Sequence, residues 1–164
     1  MSQQIVINSL SFAREGRSLE GELPLSGLER LQDVLADVSG TVRYSLQGRV
    51  SRQGKPQLLL DVEGIAPVVC QRCLGLYAYP LSIASTLELI ADEAEISQDE
   101  LEDDSRDFLV AQKEMDVAAL IEDEIILALP SAPRHEECEL PGSSERGTKV
   151  SPFAALSALK DKET

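Results

Sequence analysis

From Val42 to Val50, apolar and polar residues alternate along the chain. Val42, Tyr44 and Leu46 occupy every second position, and apolar residues return from 58 to 66 after a polar turn at 51–56. A period of two is typical of a strand that buries one face, so these two runs predict an antiparallel hairpin. Further β-like runs at 67–70 and 77–90 extend the predicted sheet.

Two other stretches have helical spacing. Apolar residues three or four positions apart predict an amphipathic helix over residues 27–37, and they are Leu28, Leu31, Val34 and Leu35. A second helix is predicted over 117–129, where the buried stripe comprises Val117, Ile121, Ile125 and Ala128, with Leu120 and Leu127 beside it. Asp116 is a suitable N-cap for this second helix, and Pro130 ends it. Residues 5–25 are interpreted as short extended pieces around polar turns.

These elements predict a single α+β domain over residues 1–138. An antiparallel sheet at about residues 40–90 is expected to pack with two or three helices, and residues 92–107 form an acidic surface loop. Residues 139–164 are expected to form a linker and a short C-terminal helix that presents Phe153, Leu156 and Leu159. That helix docks either on its own core or in a partner's groove, and the sequence leaves both open.

The formal net charge of −14 is unevenly distributed along the chain. Residues 41–82 contain five basic and two acidic residues (net +3), whereas residues 88–124 contain two basic and fifteen acidic residues (net −13). A protein this acidic is repelled as a whole by nucleic acid and by anionic lipid. The asymmetry therefore indicates two surfaces with different partners.

Composition also predicts a location in the cell. No apolar run approaches the roughly 20 residues that a membrane-spanning helix needs, and the first residues lack the pattern of a secretory signal. The chain has 3 Cys, and an odd number fits free thiols or metal ligands better than disulfides. We therefore expect a cytoplasmic protein.

The Cys residues and the single His fall into two clusters, Cys70 with Cys73 and His135 with Cys138. Together they supply three sulfurs and one imidazole, which predicts a closed structural Zn²⁺ site. Such a site would join the sheet to the segment that follows the second helix. Two alternatives stay open: two unrelated loops that carry thiols, or thiol–disulfide exchange at Cys70 and Cys73. A redox pair usually begins a helix, whereas this one lies between two β-like runs.

Five basic residues are candidates for contact with RNA phosphates or with a protein partner: Arg43, Arg49, Arg52, Lys55 and Arg72. Basic residues on a sheet edge also protect it against aggregation, which is the alternative reading. Only Tyr44 is an aromatic nearby, so stacking on RNA bases has little support.

Glu124 falls within the apolar arc of the helix predicted at 117–129. A carboxylate in that position must be paired, hydrogen-bonded or at the edge of the buried surface. The sequence therefore predicts a structural carboxylate, which either reaches solvent at the edge or forms a salt bridge with an arginine of the basic hairpin.

No motif for catalysis is present. The chain lacks a Gly-rich phosphate loop, a Ser/His/Asp set and a second His. We therefore predict that it is not an enzyme.

Several of these motifs together resemble the YceD family, the large ribosomal RNA subunit accumulation proteins. The resemblance is carried by Cys70-Gln71-Arg72-Cys73, the block from Ile121 to Pro130, Pro133 to His135 with Cys138, and Pro152-Phe153-Ala154-Ala155-Leu156 with Leu159-Lys160. It implies a role in the synthesis, processing or stability of 23S ribosomal RNA, and therefore in assembly of the large subunit.

The resemblance implies no catalytic activity, and the acidic charge favours a particular kind of partner. We expect a large-subunit ribosomal protein or assembly factor to be bound, so that 23S rRNA is affected directly or through that protein. Two alternatives are a thiol–disulfide oxidoreductase of the Cys-x-x-Cys type and an acidic chaperone-like binder of basic ribosomal proteins.

Overall fold

The computed structural model describes residues 5–97, 100, 102 and 107–141. In these ranges the strands are β1 (Val6–Ile7), β2 (Ser18–Pro24), β3 (Thr41–Val50), β4 (Pro56–Val69), β5 (Leu76–Ile90), β6 (Asp107–Val110) and β7 (Met115–Asp116). The α-helices are α1 (Ser9–Arg14) and α2 (Val117–Ala128), and short 3-10 helices occur at Leu25–Gly27, Arg30–Asp33 and Glu93–Glu95. The fold is α+β.

One five-stranded sheet dominates the structure, in the order β2–β3–β4–β5–β6. The pairings from β2 to β5 are antiparallel. An antiparallel sheet was predicted for β3, β4 and β5, within residues 40–90, but β2 lies outside that range. The predicted short strand at 67–70 is the end of the continuous strand β4. The final pairing, β5 with β6, is parallel, so the sheet is mixed rather than wholly antiparallel.

The α-helix predicted over residues 27–37 is wrong, because this segment forms only 3-10 turns. The backbone N–H groups of Arg30 and Leu31 donate to the carboxylate of Glu122 on α2, instead of to carbonyls within their own segment. Leu28, Leu31 and Leu35 are nevertheless buried as predicted. Val34, the fourth apolar position of the prediction, is 49% exposed. The apolar spacing therefore identified three of the four side chains as buried but not the backbone conformation.

The short helix α1 lies where extended pieces were expected. Asn8 caps its first turn by accepting a hydrogen bond from the Ser11 N–H. The helix packs against β3 at Gly48, where a Cβ atom would lie 2.2 Å from the Phe12 carbonyl oxygen. The absence of a side chain at this position lets the backbones of helix and strand approach closely.

Helix α2 forms as predicted, and the Asp116 side chain accepts from the Ala118 N–H at its start. Val117, Ile121 and Ile125 are buried in the predicted stripe. The prediction was wrong at the last turn, because Leu127 is 79% exposed and Ala128 is also exposed. Ile126 and Leu129 still pack against the core, whereas Leu127 and Ala128 line an open depression beside β5 and β6.

The core lies between one face of the sheet and the layer formed by α1, α2 and the 3-10 turns. Its largest fully buried hydrophobic side chains are Leu25, Leu31, Leu46, Leu58, Leu60, Ile121, Ile125, Val42, Val62 and Val117. β1 pairs with β7 and so holds the N-terminal segment beside the start of α2.

Two sequence predictions concern helices outside this core. In the described residues, no helix has the length and apolar character needed to cross a bilayer. The short helix predicted within residues 139–164 lies outside the described residues, which end at 141.

Candidate metal centre

A tight turn between β4 and β5 carries the first two thiols. Cys70 directly follows β4, and its N–H donates to the carbonyl of Gly75 at 2.9 Å. The Leu74 N–H donates to the carbonyl of Cys70 at 2.9 Å, and Leu74 has a left-handed φ of 61°. These bonds fold the chain back within a few residues, so Cys70 and Cys73 project to the same side.

The segment after α2 brings in the other two candidate ligands. Helix α2 ends at Ala128, and the chain continues past Pro130 toward the β4–β5 turn. The Gln71 N–H donates to the carbonyl of Pro133 at 2.8 Å, which joins the two segments. His135 and Cys138 follow this contact and lie beside the first two thiols.

The four predicted ligands converge on one point. Their ligand atoms all lie within 4.8 Å of one another. Cys70 Sγ is 3.8 Å from Cys138 Sγ, and Cys73 Sγ is 3.4 Å from His135 Nδ1. Around a tetrahedral Zn²⁺, ligand atoms at the usual bond lengths are about 3.8 Å apart for two sulfurs and about 3.5 Å for sulfur and nitrogen. The donor set and its spacing therefore fit a metal ion.

Hydrogen bonding fixes the orientation of the imidazole. His135 Nε2 lies 3.1 Å from the carbonyl oxygen of Leu76, where it can only donate. In the neutral ring this tautomer leaves the lone pair on Nδ1, which is the atom that points at the sulfurs. The ring also packs against Tyr77, with ring centroids 4.7 Å apart. The imidazole is held in the form that a metal ligand requires.

The local environment also prepares one thiol for metal binding. Burial opposes ionisation of Cys70, yet hydrogen bonds from the backbone N–H groups of Cys73, His135 and Arg72 lower its pKa to about 5. Burial raises the pKa of Cys138, and the neighbouring sulfurs of Cys70 and Cys73 raise it further. One thiolate is thus stabilised by the turn, while a second needs a cation to offset sulfur–sulfur repulsion.

The same geometry gives little support to disulfide exchange. All three Cys are free, and the 3.8 Å between Cys70 Sγ and Cys138 Sγ is nearly twice the disulfide bond length of about 2 Å. Cys70 is fully buried and follows a strand rather than beginning a helix. An attacking thiolate needs access to its substrate, and Cys70 has none here.

The sequence predicted one structural carboxylate on α2, Glu124, whereas the structure has two, Glu124 and Glu122. The Glu124 carboxylate accepts a hydrogen bond from the Ser85 hydroxyl and does not reach an arginine of the basic hairpin. Glu122 makes the ion pair instead, because its Oε2 lies 2.9 Å from Nε of Arg30. Its Oε1 accepts from the backbone N–H groups of Arg30 and Leu31 at 2.6 and 3.1 Å. Sequence reasoning missed this buried carboxylate.

The Arg30 guanidinium bridges two acids of α2. Besides Glu122 it contacts Asp123, where Nη1 lies 2.5 Å from Oδ1. Hydrogen bonds to Asp123 and then to Glu122 raise the pKa of Arg30. This cluster connects the 3-10 segment to the exposed side of α2, away from the sulfur cluster.

The five basic residues proposed to contact RNA or a partner do not form one surface. Arg49 and Arg52 line the same shallow cavity at the β3–β4 turn, whereas Arg72 lies in the turn at the other end of β4. The others form contacts within the protein: Arg43 with Glu63 at 3.5 Å and Lys55 with Glu88 at 3.2 Å. Arg49, Arg52 and Lys55 thus lie near one turn, whereas Arg43 and Arg72 lie elsewhere on the molecule.

Comparison with known proteins supports the resemblance seen in the sequence. A family model described as "Large ribosomal RNA subunit accumulation protein YceD" matches residues 58–160. A protein of Haemophilus influenzae with the same description is 30% identical over 177 residues, covering 96% of this chain and 96% of that protein. No solved structure matches the chain.

Proposed function

The chain belongs to the YceD family, and we propose that it supports accumulation of large-subunit ribosomal RNA as a non-catalytic assembly factor. The observation that carries the proposal is the family match over residues 58–160, because it includes both halves of the Cys/His cluster. The part of the chain that matches the family model therefore also contains the four candidate metal ligands. Ribosomes assemble in the cytoplasm, so we place the protein there.

The second part of the proposal is that Cys70, Cys73, His135 and Cys138 bind one structural Zn²⁺. When bound, zinc would hold the β4–β5 turn against the segment that follows α2, where backbone bonding is sparse. Four protein ligands complete a tetrahedral shell, so no position stays open for a substrate or an activated water. This closed set supports a structural rather than a catalytic role.

The third part concerns the partner. A net charge of −14 opposes direct binding to the phosphate backbone. The basic residues are dispersed, and Arg43 and Lys55 already face carboxylates of the protein. We therefore propose that the chain acts on 23S rRNA through a basic large-subunit ribosomal protein or assembly factor. An acidic chaperone for such proteins is a narrower form of the same idea.

The test is complementation of a strain that lacks the gene. We expect the deletion to lower the ratio of 23S to 16S rRNA and the yield of large subunits in sucrose gradients. The wild-type gene should restore both, whereas Cys138→Ser should restore them poorly because one metal ligand is lost. Ser131→Ala, an exposed change in the same segment, is the matched control and should behave as wild type.

Two results would contradict the proposal. An unchanged 23S to 16S ratio in the deletion strain would remove the ribosomal role. Alternatively, the purified protein could reduce a disulfide substrate at a rate abolished by Cys70→Ser. That activity would favour the thiol oxidoreductase, for which the buried Cys70 gives no structural support.

A further inference from the structure

The β4–β5 hairpin extends well beyond the strand next to it. β3 pairs with β4 as far as Val42 opposite Gly64. β4 and β5 continue together to Val69 opposite Leu76. We call residues 65–69 and 76–80 the arm. It leads from the body of the sheet to the metal centre.

The two faces of the arm differ in what covers them. On one face Ala66 and Val68 are buried, and Tyr77 packs against His135. The opposite face, which we call the arm face, presents only apolar side chains: Ile65, Pro67, Val69, Leu76, Ala78 and Pro80. Ile65 is 55% exposed and Leu76 is 64% exposed. Adjacent exposed apolar side chains of this kind typically mark an interaction surface.

Carboxylates follow directly along the same side of the sheet. In register across three strands lie Glu22, Arg43 and Glu63. The next outward-facing row contains Glu20, Ser45 and Asp61. These residues line an open depression of about 510 Å³. We call the four carboxylates around Arg43 the acidic field.

We propose that the arm face and the acidic field together form a docking surface for a basic protein segment with apolar side chains beside its Lys or Arg residues. The apolar part of the partner would cover the arm, and its cations would face the four carboxylates. This inference rests on the proposed function only in pointing to large-subunit proteins as the partners to test.

Charge decides against the other possible occupants of the surface. A second copy of the chain would bring another net charge of −14 to the interface, and like charges across an interface are unfavourable. RNA phosphates would meet the four carboxylates with only Arg43 among them. A basic polypeptide with apolar side chains matches both halves of the surface. Electrostatic complementarity also speeds association.

The test uses the full-length protein and a panel of individually purified basic large-subunit ribosomal proteins from the same organism. Affinity is measured for wild type, for Val69→Thr/Leu76→Thr on the arm face, and for Glu20→Gln/Asp61→Asn in the acidic field. We expect at least one panel protein to bind, and each double variant to weaken its binding by roughly tenfold or more. The acidic-field variant should also show a weaker dependence on salt.

Matched controls separate this surface from a general loss of apolar area or charge. Val50→Thr removes an exposed apolar side chain at the far end of β3, and Asp33→Asn/Glu114→Gln removes two exposed carboxylates elsewhere. Both controls should bind as wild type does. Threonine suits a strand, and circular dichroism should confirm that every variant retains its sheet.

Each of the following outcomes would overturn the proposal. No member of the panel binds, or every variant binds as wild type does. Val69→Thr/Leu76→Thr changes the sedimentation of the protein alone, which makes a second copy the occupant. The arm variant weakens binding of a 23S rRNA fragment but of no protein. If complementation still restores 23S rRNA with the arm variant, the docking inference fails while the proposed function stands.

Discussion

A single carboxylate, Glu122, links two parts of the structure that are distant in sequence. It is 6% exposed and accepts hydrogen bonds from two backbone N–H groups and one guanidinium of the segment at residues 30–31. Buried carboxylates of this kind persist only when they are fully hydrogen-bonded. Glu122 thus acts as a cap for a turn that belongs to another part of the chain.

Replacement of Glu122 by Gln tests this role. An amide can accept at one oxygen only, so at least one backbone N–H or the Arg30 guanidinium loses its partner. We expect the free energy of unfolding to fall by about 2–3 kcal/mol in urea titrations. Asp123→Asn, the exposed neighbour that contacts the same guanidinium, should have a much smaller effect. Equal effects of the two changes would show that burial of Glu122 is unimportant.

At the residue scale, the sequence identified the sulfur cluster but not this carboxylate. The Cys and His residues are so few that their two clusters could be combined in only one way. The helical wheel of α2, in contrast, assumed one buried face against the sheet. The 3-10 turn at Arg30–Asp33 packs on a second side of the helix. The spacing of apolar residues within 117–129 does not indicate that contact.

Among the elements, strands β3, β4 and β5 were predictable because their alternation reflects burial of one sheet face. Helix α1 was not predicted, because a helix of 6 residues is too short to show a period. β6 was obscured by the acidic residues around it, and its parallel pairing with β5 is a long-range contact. The local pattern therefore reveals long elements, whereas short ones depend on partners that are remote in sequence.

The packing of α1 on β3 gives a prediction at the scale of elements. In Gly48→Ala the new Cβ would lie 2.2 Å from the Phe12 carbonyl oxygen and 2.7 Å from the Ala13 Cα. Backbone atoms cannot move aside cheaply, so we expect a loss of roughly 2–3 kcal/mol in the free energy of unfolding. Gly54→Asn is the control, because nothing lies within 4 Å there and Asn tolerates its positive φ. Similar unfolding midpoints for the two variants would contradict close helix–strand contact.

For the whole molecule, the arrangement separates a large apolar core from a metal centre at one end. The largest fully buried hydrophobic side chains, apart from Cys70, lie outside the arm, and the Cys/His cluster lies beyond the tip of the arm. The core therefore has no need of the metal for its own packing. The proposed zinc would instead determine where the segment after α2 is held.

Metal removal should accordingly open one end of the protein and leave the rest folded. We expect one zinc per chain by elemental analysis of wild type and none in Cys138→Ser. After chelation, amide hydrogen exchange should accelerate at residues 70–76 and 129–141, while the body of β3 and β4 stays protected. Ser131→Ala should retain its metal and its exchange pattern. Absence of metal from freshly reduced wild-type protein would refute the zinc assignment.

The pairing of β1 with β7 has a consequence for the order of folding. It brings Ile7 opposite Met115, and Ser9 donates to the Gln112 carbonyl, across most of the described chain. Closing so long a loop costs conformational entropy before stabilising contacts form, whereas the β4–β5 hairpin closes locally. Refolding should therefore begin at the hairpin and finish with the N-terminal strand. In a pulse-labelling experiment, amides of β1 should gain protection last.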